Sequence, residues 1–284
     1  MIHLDAATVL LQWATGGLAF LWVTTRHREV GLGYGWLLRG VFAALAAGAF
    51  ACGVALDTVL VRELASLGVV VAALVALAVS VVRKGAGVSG QRAEHDRRTE
   101  RVAVMTGIER PVAVVEAPAG REFDPRLDLL APVIGAIGLV AAGLAAGGND
   151  ALAVARTLSG AAFLGVVTDA MLLGHWYLVQ PGLPRRLLNE LVTGVMWVWP
   201  VEVVLLLVPT GMVSVLNGSI DDGWNGTLGW FWVACALTTI GLAFVTRAAL
   251  RERQYSAVMA ATGLLYLAIL TAFGTDLVAR AVLA

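Results

Sequence analysis

Cysteine, histidine and charge are all scarce in this chain. Of its 284 residues only two are cysteines, Cys52 and Cys235, both inside apolar runs, and no CxxC, CxxCH or Cys/His grouping occurs. Covalent haem c, an iron–sulfur cluster and a structural zinc are therefore not expected, and the thiols read as helix-packing residues. The four histidines are too dispersed to assemble a hydrolase centre, so the chain is not expected to be an enzyme on its own. No glycine-rich phosphate loop and no basic nucleic-acid face occur either.

Charged residues make up 14% of the chain against 59% hydrophobic, with mean hydropathy +0.82. Soluble domains carry about 25% charged residues, so the solvent this chain is built for is lipid. The stretch after Met1 lacks the basic start of a secretory signal, so the first apolar run is expected to be retained.

A membrane span takes roughly 20 apolar residues. That rule places eight helices at 6–24, 34–56, 63–82, 129–147, 152–178, 187–208, 226–246 and 255–278. The expected fold is an all-α polytopic integral membrane protein. Helices one to three fall in residues 1–83, a cytoplasmic loop in 84–128 and helices four to eight in 129–284. Orientation follows from Lys and Arg. One side holds Arg26, Arg28 and Arg39, the nine basic residues from Arg83 to Arg126, Arg185 and Arg186, and Arg247, Arg251 and Arg253; the other keeps Arg62, Arg156 and Arg280. Both termini are therefore expected on the outer side of a cell inner (plasma) membrane. In the loop, a charged stretch is followed by RPVAVVEAP at 110–118, which reads as a strand or hairpin. Outside, residues 209–225 could cap the bundle or face a partner.

An internal echo runs through the chain. GGLAFLWVTT at 16–25 matches SGAAFLGVVT at 159–168, and helices three and four resemble seven and eight in order. Two parallel four-helix repeats are the expected organisation.

The richest stretch is 156–190, where ionisable residues fall at membrane depth and so become functional candidates. His175, with Trp176 and Tyr177, sits near the cytoplasmic end of helix five, where a neutral imidazole can ligate haem iron or hydrogen-bond a quinone. The plainer reading is an interfacial aromatic belt. His27 lies on the same side, and a pair with His175 would hold a b-type haem, although the repeat sets His27 opposite Ala170. His3 and His95 read as tail and loop residues. Pro181 and Pro184 end helix five. Arg185 and Arg186 could hold an anionic headgroup or contact a cytoplasmic subunit.

Deeper in the membrane lie Asp169 and Glu202, on neighbouring helices and staggered by several ångströms, with Arg156 as a candidate partner for Glu202. They suit a proton path, a buried salt bridge or a polar ligand. Pro200 is expected to kink helix six, with Trp197 and Trp199 pointing to opposite sides. Gly135, Gly138, Ala142, Gly143, Gly160 and Gly165 allow close helix approach.

Three functions follow as expectations. The first is an integral membrane subunit or anchor of an electron-transfer assembly, binding quinone or haem b at His175, His27, Trp176, Tyr177, Arg185 and Arg186. The second is a small proton-coupled transporter using Asp169, Glu202 and Arg156. The third is an accessory subunit with no site of its own. Expected partners are the lipid bilayer and other membrane or cytoplasmic subunits, not nucleic acid.

Overall fold

Asp5 starts the first helix by accepting hydrogen bonds from the Ala7 and Thr8 amides (3.2 and 3.1 Å), as an N-cap aspartate does. The computed structural model describes residues 4–93, 96–97, 120–180, 182–208, 211–252 and 254–283. Among these residues, eight helices long and apolar enough to cross a membrane follow one another: α1 (Ala6–Thr25), α2 (Leu32–Ala55), α3 (Leu60–Val82), α4 (Leu130–Ala145), α5 (Asp150–Val179), α6 (Arg185–Leu207), α7 (Thr227–Ala249) and α8 (Tyr255–Val282). This is the expected polytopic helical membrane protein, with span boundaries within a few residues of those read from hydropathy. The strand expected over 110–118, His3, His95 and Pro181 lie outside the described residues.

The helices contact one another in the same pattern twice. α1 touches α2, α2 touches α3, α3 touches α4, and α4 closes back on α1; α5 to α8 repeat that ring. The rings join where α1 and α4 pack against α5, so α1 and α5 form the central pair. They run parallel: Gln12 bonds the Thr157 carbonyl, and one turn further along both helices Gly16 abuts Ala161 and Gly165.

In lipid there is no hydrophobic drive between helices, so packing depends on small residues that admit close contact. The glycines act this way. A Cβ on Gly16 would lie 1.8 Å from the Ala161 carbonyl oxygen, and one on Gly165 would lie 2.2 Å from the Gly16 carbonyl carbon. Gly135 receives Thr15, Gly138 receives Ala65 and Leu11, and Gly143 meets Val154. Large apolar side chains such as Leu64, Val71, Phe244 and Leu270 are turned outward instead, where a membrane-embedded bundle meets lipid.

Two ends of the bundle can be told apart. The Asp5 end carries the α2–α3, α4–α5 and α6–α7 connections; the His27 end carries the others. Between α4 and α5, Gly147 and Gly148 take positive φ (73° and 81°), and Asn149 then caps α5 through the Leu152 amide. Between α6 and α7, a helical turn at Met212–Leu216 folds back over the bundle. Met212 and Val215 are buried against Leu206, Trp232, Ala279 and Leu283, so this part of the 209–225 connection is a cap. Pro200 lies inside α6; Trp197 is 74% exposed, whereas Trp199 donates to the Ala236 carbonyl of α7, so the two indoles do point apart.

Candidate functional site

The densest buried polar group lies toward the Asp5 end, where the two rings meet. Ser159 of α5 donates a 2.5 Å hydrogen bond to Glu202 Oε2 of α6. On α8, Arg280 Nε donates to Asp276 Oδ2 at 2.8 Å, one helical turn apart. Glu202 and Asp276 thus converge on one turn of α5, the first at Ser159 and the second at the neighbouring Gly160. All three of these ionisable residues are essentially without exposure. From α1, Gln12 Nε2 donates to the Thr157 carbonyl at 2.7 Å. Gly160 lets the groups converge: a Cβ there would sit 2.6 Å from Gln12 Nε2, 2.8 Å from Asp276 Oδ1 and 3.3 Å from Arg280 Nη2.

Four atoms of this cluster have no hydrogen-bond partner: Glu202 Oε1, Asp276 Oδ1, Arg280 Nη2 and Gln12 Oε1. Unsatisfied polar atoms at this depth are costly, and each calls for an explanation. Two of them, Glu202 Oε1 and Asp276 Oδ1, are carboxyl oxygens that no donor faces.

The cluster connects to a cleft of about 450 Å³, mouth included, at the Asp5 end. Asp5, Thr8, Asp57, Arg62, Thr157 and Arg280 line it. Arg62 is fully engaged: it pairs with Asp5, with Glu63 at 2.8 Å, with the Thr8 hydroxyl at 3.1 Å and with the Asp57 carbonyl at 2.5 Å. Arg280, with one nitrogen still unpartnered, is the cation that the cleft presents from its floor.

Arg156, the partner expected for Glu202, spends its hydrogen bonds elsewhere. Its Nε and Nη2 reach the carbonyls of Leu205 and Val208 (2.8 and 3.0 Å), tying down the end of α6, and it acts on Glu202 only through its charge. Asp169 is fully buried and both its oxygens lack a partner. The stagger expected between it and Glu202 is present and larger than several ångströms: Glu202 bonds Ser159, ten residues before Asp169, which is about 15 Å along the helix.

The residues near the His27 end divide among separate contacts. His175 faces outward, with Nδ1 3.2 Å from the Tyr266 hydroxyl of α8. His27 pairs with Glu190 of α6 at 3.1 Å, beside the Arg26–Glu190 ion pair. The two histidines are not brought together. Trp176 bonds Gln180, Tyr177 donates to the Pro184 carbonyl at 2.7 Å, Arg185 holds the Glu252 and Gln254 carbonyls, and Arg186 pairs with Glu29. These contacts knit the turns of this end together.

Several buried polar residues escaped the sequence reading. Asp276 and Arg280 stand four apart in TDLVAR at the end of an apolar helix, which is the spacing of an intrahelical ion pair; that signal was present. Arg39 and Asp128 form a buried two-bond pair (2.7 and 2.8 Å), with Thr25 donating to Asp128 and the Phe123 ring under the guanidinium. Arg39 counted in the sequence as a basic residue of the cytoplasmic side, and nothing in the sequence marked Asp128, 89 residues away, as its partner.

Comparison of the chain with protein-family models, curated proteins and solved structures finds no match.

Proposed function

We propose that the chain is a small proton-coupled transporter of the cell inner (plasma) membrane, with both termini on the outer side. The observation that carries this reading is the pair of buried carboxyl groups, Glu202 and Asp276, gathered on α5 at Ser159 and Gly160 beside an Arg280 that also lines a cleft. Each of these two buried carboxyl groups has an oxygen that lacks a hydrogen-bond donor, and one proton held between them would complete both. Loss of that proton adds a negative charge, and the neighbouring guanidinium offsets it. A small polar solute with a hydrogen-bond-accepting group in the cleft would compete with Asp276 for Arg280. Proton and solute then bias each other's binding, as coupling requires. Placement at the junction of two parallel four-helix units fits the general plan of repeat-built transporters.

Transport is favoured over a quinone- or haem-b-linked electron-transfer subunit because His27 and His175 are taken up by residues of different helices. An accessory subunit without a site has no use for four orphaned polar atoms at its centre. The charge asymmetry of the loops supports the orientation.

The test is solute-driven proton movement in proteoliposomes carrying a pH-sensitive dye, screened over amino acids, sugars and small organic ions. Solutes that move protons with the natural chain should fail to do so with Glu202→Gln and with Asp276→Asn. Unchanged proton movement in both variants overturns the reading.

A further inference from the structure

α2 starts at Leu32 behind Gly31, which has no side chain to cap it. Among the described residues the Leu32 and Gly33 amides find no acceptor, the usual state of the first amides of an uncapped helix. Gly31 and Leu32 line a cavity of about 410 Å³, mouth included, at the His27 end.

A further donor comes from Arg39, which stands two turns into α2, is 2% exposed and lines the same cavity. Its Nε and Nη2 are spent on Asp128, and its face rests on Phe123. The third nitrogen, Nη1, has no acceptor among the described residues. It stands over Gly35, where a Cβ would lie 2.7 Å from it, so the space beside Nη1 exists because residue 35 lacks a side chain. One cavity thus gathers a buried guanidinium nitrogen and two helix-terminal amides, all donors without an acceptor.

Charge points the same way. Arg28, Arg39, Arg83 and Arg92 stand around this cavity against Glu122 and Asp128, four guanidinium groups to two carboxylates. Glu122 is held by Arg28, Arg92 and Ser89 (3.0, 2.9 and 3.0 Å) and bonds none of the inner donors. Amides of a helix N-terminus with an arginine beside them are a donor set suited to phosphate. A carboxylate ligand brings two oxygens, whereas a phosphate brings enough for Nη1, both amides and Arg28 together. Val30, Leu32, Val88 and Pro125 supply apolar wall for the carbon part of an ester.

We propose that this cavity binds the phosphate group of an anionic phosphate ester, held by Arg39 Nη1 and the Leu32 and Gly33 amides, with Arg28 adding charge at the mouth. The ester is an anionic phospholipid of the headgroup layer or a soluble organophosphate. The site lies at the opposite end of the bundle from the Glu202–Asp276 cluster and does not depend on the transport reading.

Two measurements on the full chain in detergent separate the sources. Native mass spectrometry reads retention of phosphatidylglycerol against phosphatidylcholine, and calorimetric titration reads binding of glycerol 3-phosphate. Preference for the anionic lipid assigns the headgroup, and binding of glycerol 3-phosphate assigns the soluble ester. Gly35→Ala, which crowds Nη1, and Arg28→Gln, at a side chain 43% exposed and so tolerant of exchange, should each weaken the binding about 10-fold or more. Arg126→Gln removes an exposed charge at the same end without touching the cavity and should leave binding unchanged. The proposal is overturned if neither measurement shows binding, if binding survives both Gly35→Ala and Arg28→Gln, or if Arg126→Gln weakens it as much as they do.

Discussion

Gly16 of α1 and Gly165 of α5 lie backbone against backbone at the centre of the bundle. Alanine at either position would push its methyl into main-chain atoms of the other helix, which cannot yield as a flexible side chain can. The expected loss is about 1–3 kcal/mol or more, read as a drop in thermal unfolding midpoint in detergent. Gly40 is the control, because a Cβ there meets nothing within 4 Å. Gly40→Ala should be neutral or stabilise by up to about 1 kcal/mol through helix propensity alone.

The Asp276–Arg280 pair separates a broken ion pair from a removed one. Asp276→Asn takes from the buried guanidinium the carboxylate that its Nε holds and should cost about 3–5 kcal/mol. The double variant Asp276→Leu/Arg280→Met removes both charges and should be markedly more stable than the single variant. Thermal unfolding of the two proteins side by side checks this, and a double variant no more stable than the single one would contradict it.

How much of this was legible beforehand depends on what kind of information each feature uses. The eight spans were legible because lipid solvation writes itself into long apolar runs, and the close-packing glycines because small residues stand out among Leu and Val. Asp169 and Glu202 were legible as charges at depth. The company that Glu202 keeps was not, since Ser159 is brought to it, and Asp276 and Gln12 to the neighbouring Gly160, by helix rotation, which hydropathy does not encode. His27 and His175 looked like a pair because both lie at one end of the bundle. That end is wide enough for each to find a partner on a separate helix.

Arg39 and Asp128 should tolerate little exchange. The guanidinium meets the carboxylate with two nitrogens and rests 4.4 Å from the Phe123 ring centroid. Lysine offers a single point charge without the planar fork. Arg39→Ala should cost about 3–5 kcal/mol, and Arg39→Lys should recover only part of that, as judged by unfolding midpoints.

In the α6–α7 connection, Asp222 gathers the amides of Trp224, Gly226, Leu228 and Gly229 at 2.8–3.3 Å. Desolvation acts to raise its pKa, but these backbone donors, Gly226 and Trp224 foremost, outweigh it and hold the carboxyl below the usual carboxylate range. A depressed folded pKa stabilises the connection above the ordinary aspartate value of about 3.9, and the benefit is lost as pH falls through the lowered folded value. Hydrogen exchange should therefore show these four amides protected at neutral pH and released in acid. Asp222→Ala should release them at both, leaving the buried amides of α7 protected.

Thirty residues make α5 about 45 Å long and 28 make α8 about 42 Å, against a hydrocarbon layer of about 30 Å. Such helices meet a bilayer by tilting, and the tilt follows its thickness. Ser159, Asp276 and Arg280 ride on these two long helices, while Glu202 rides on the shorter α6. A change of tilt with lipid acyl-chain length should therefore alter the distance between the two carboxyl groups.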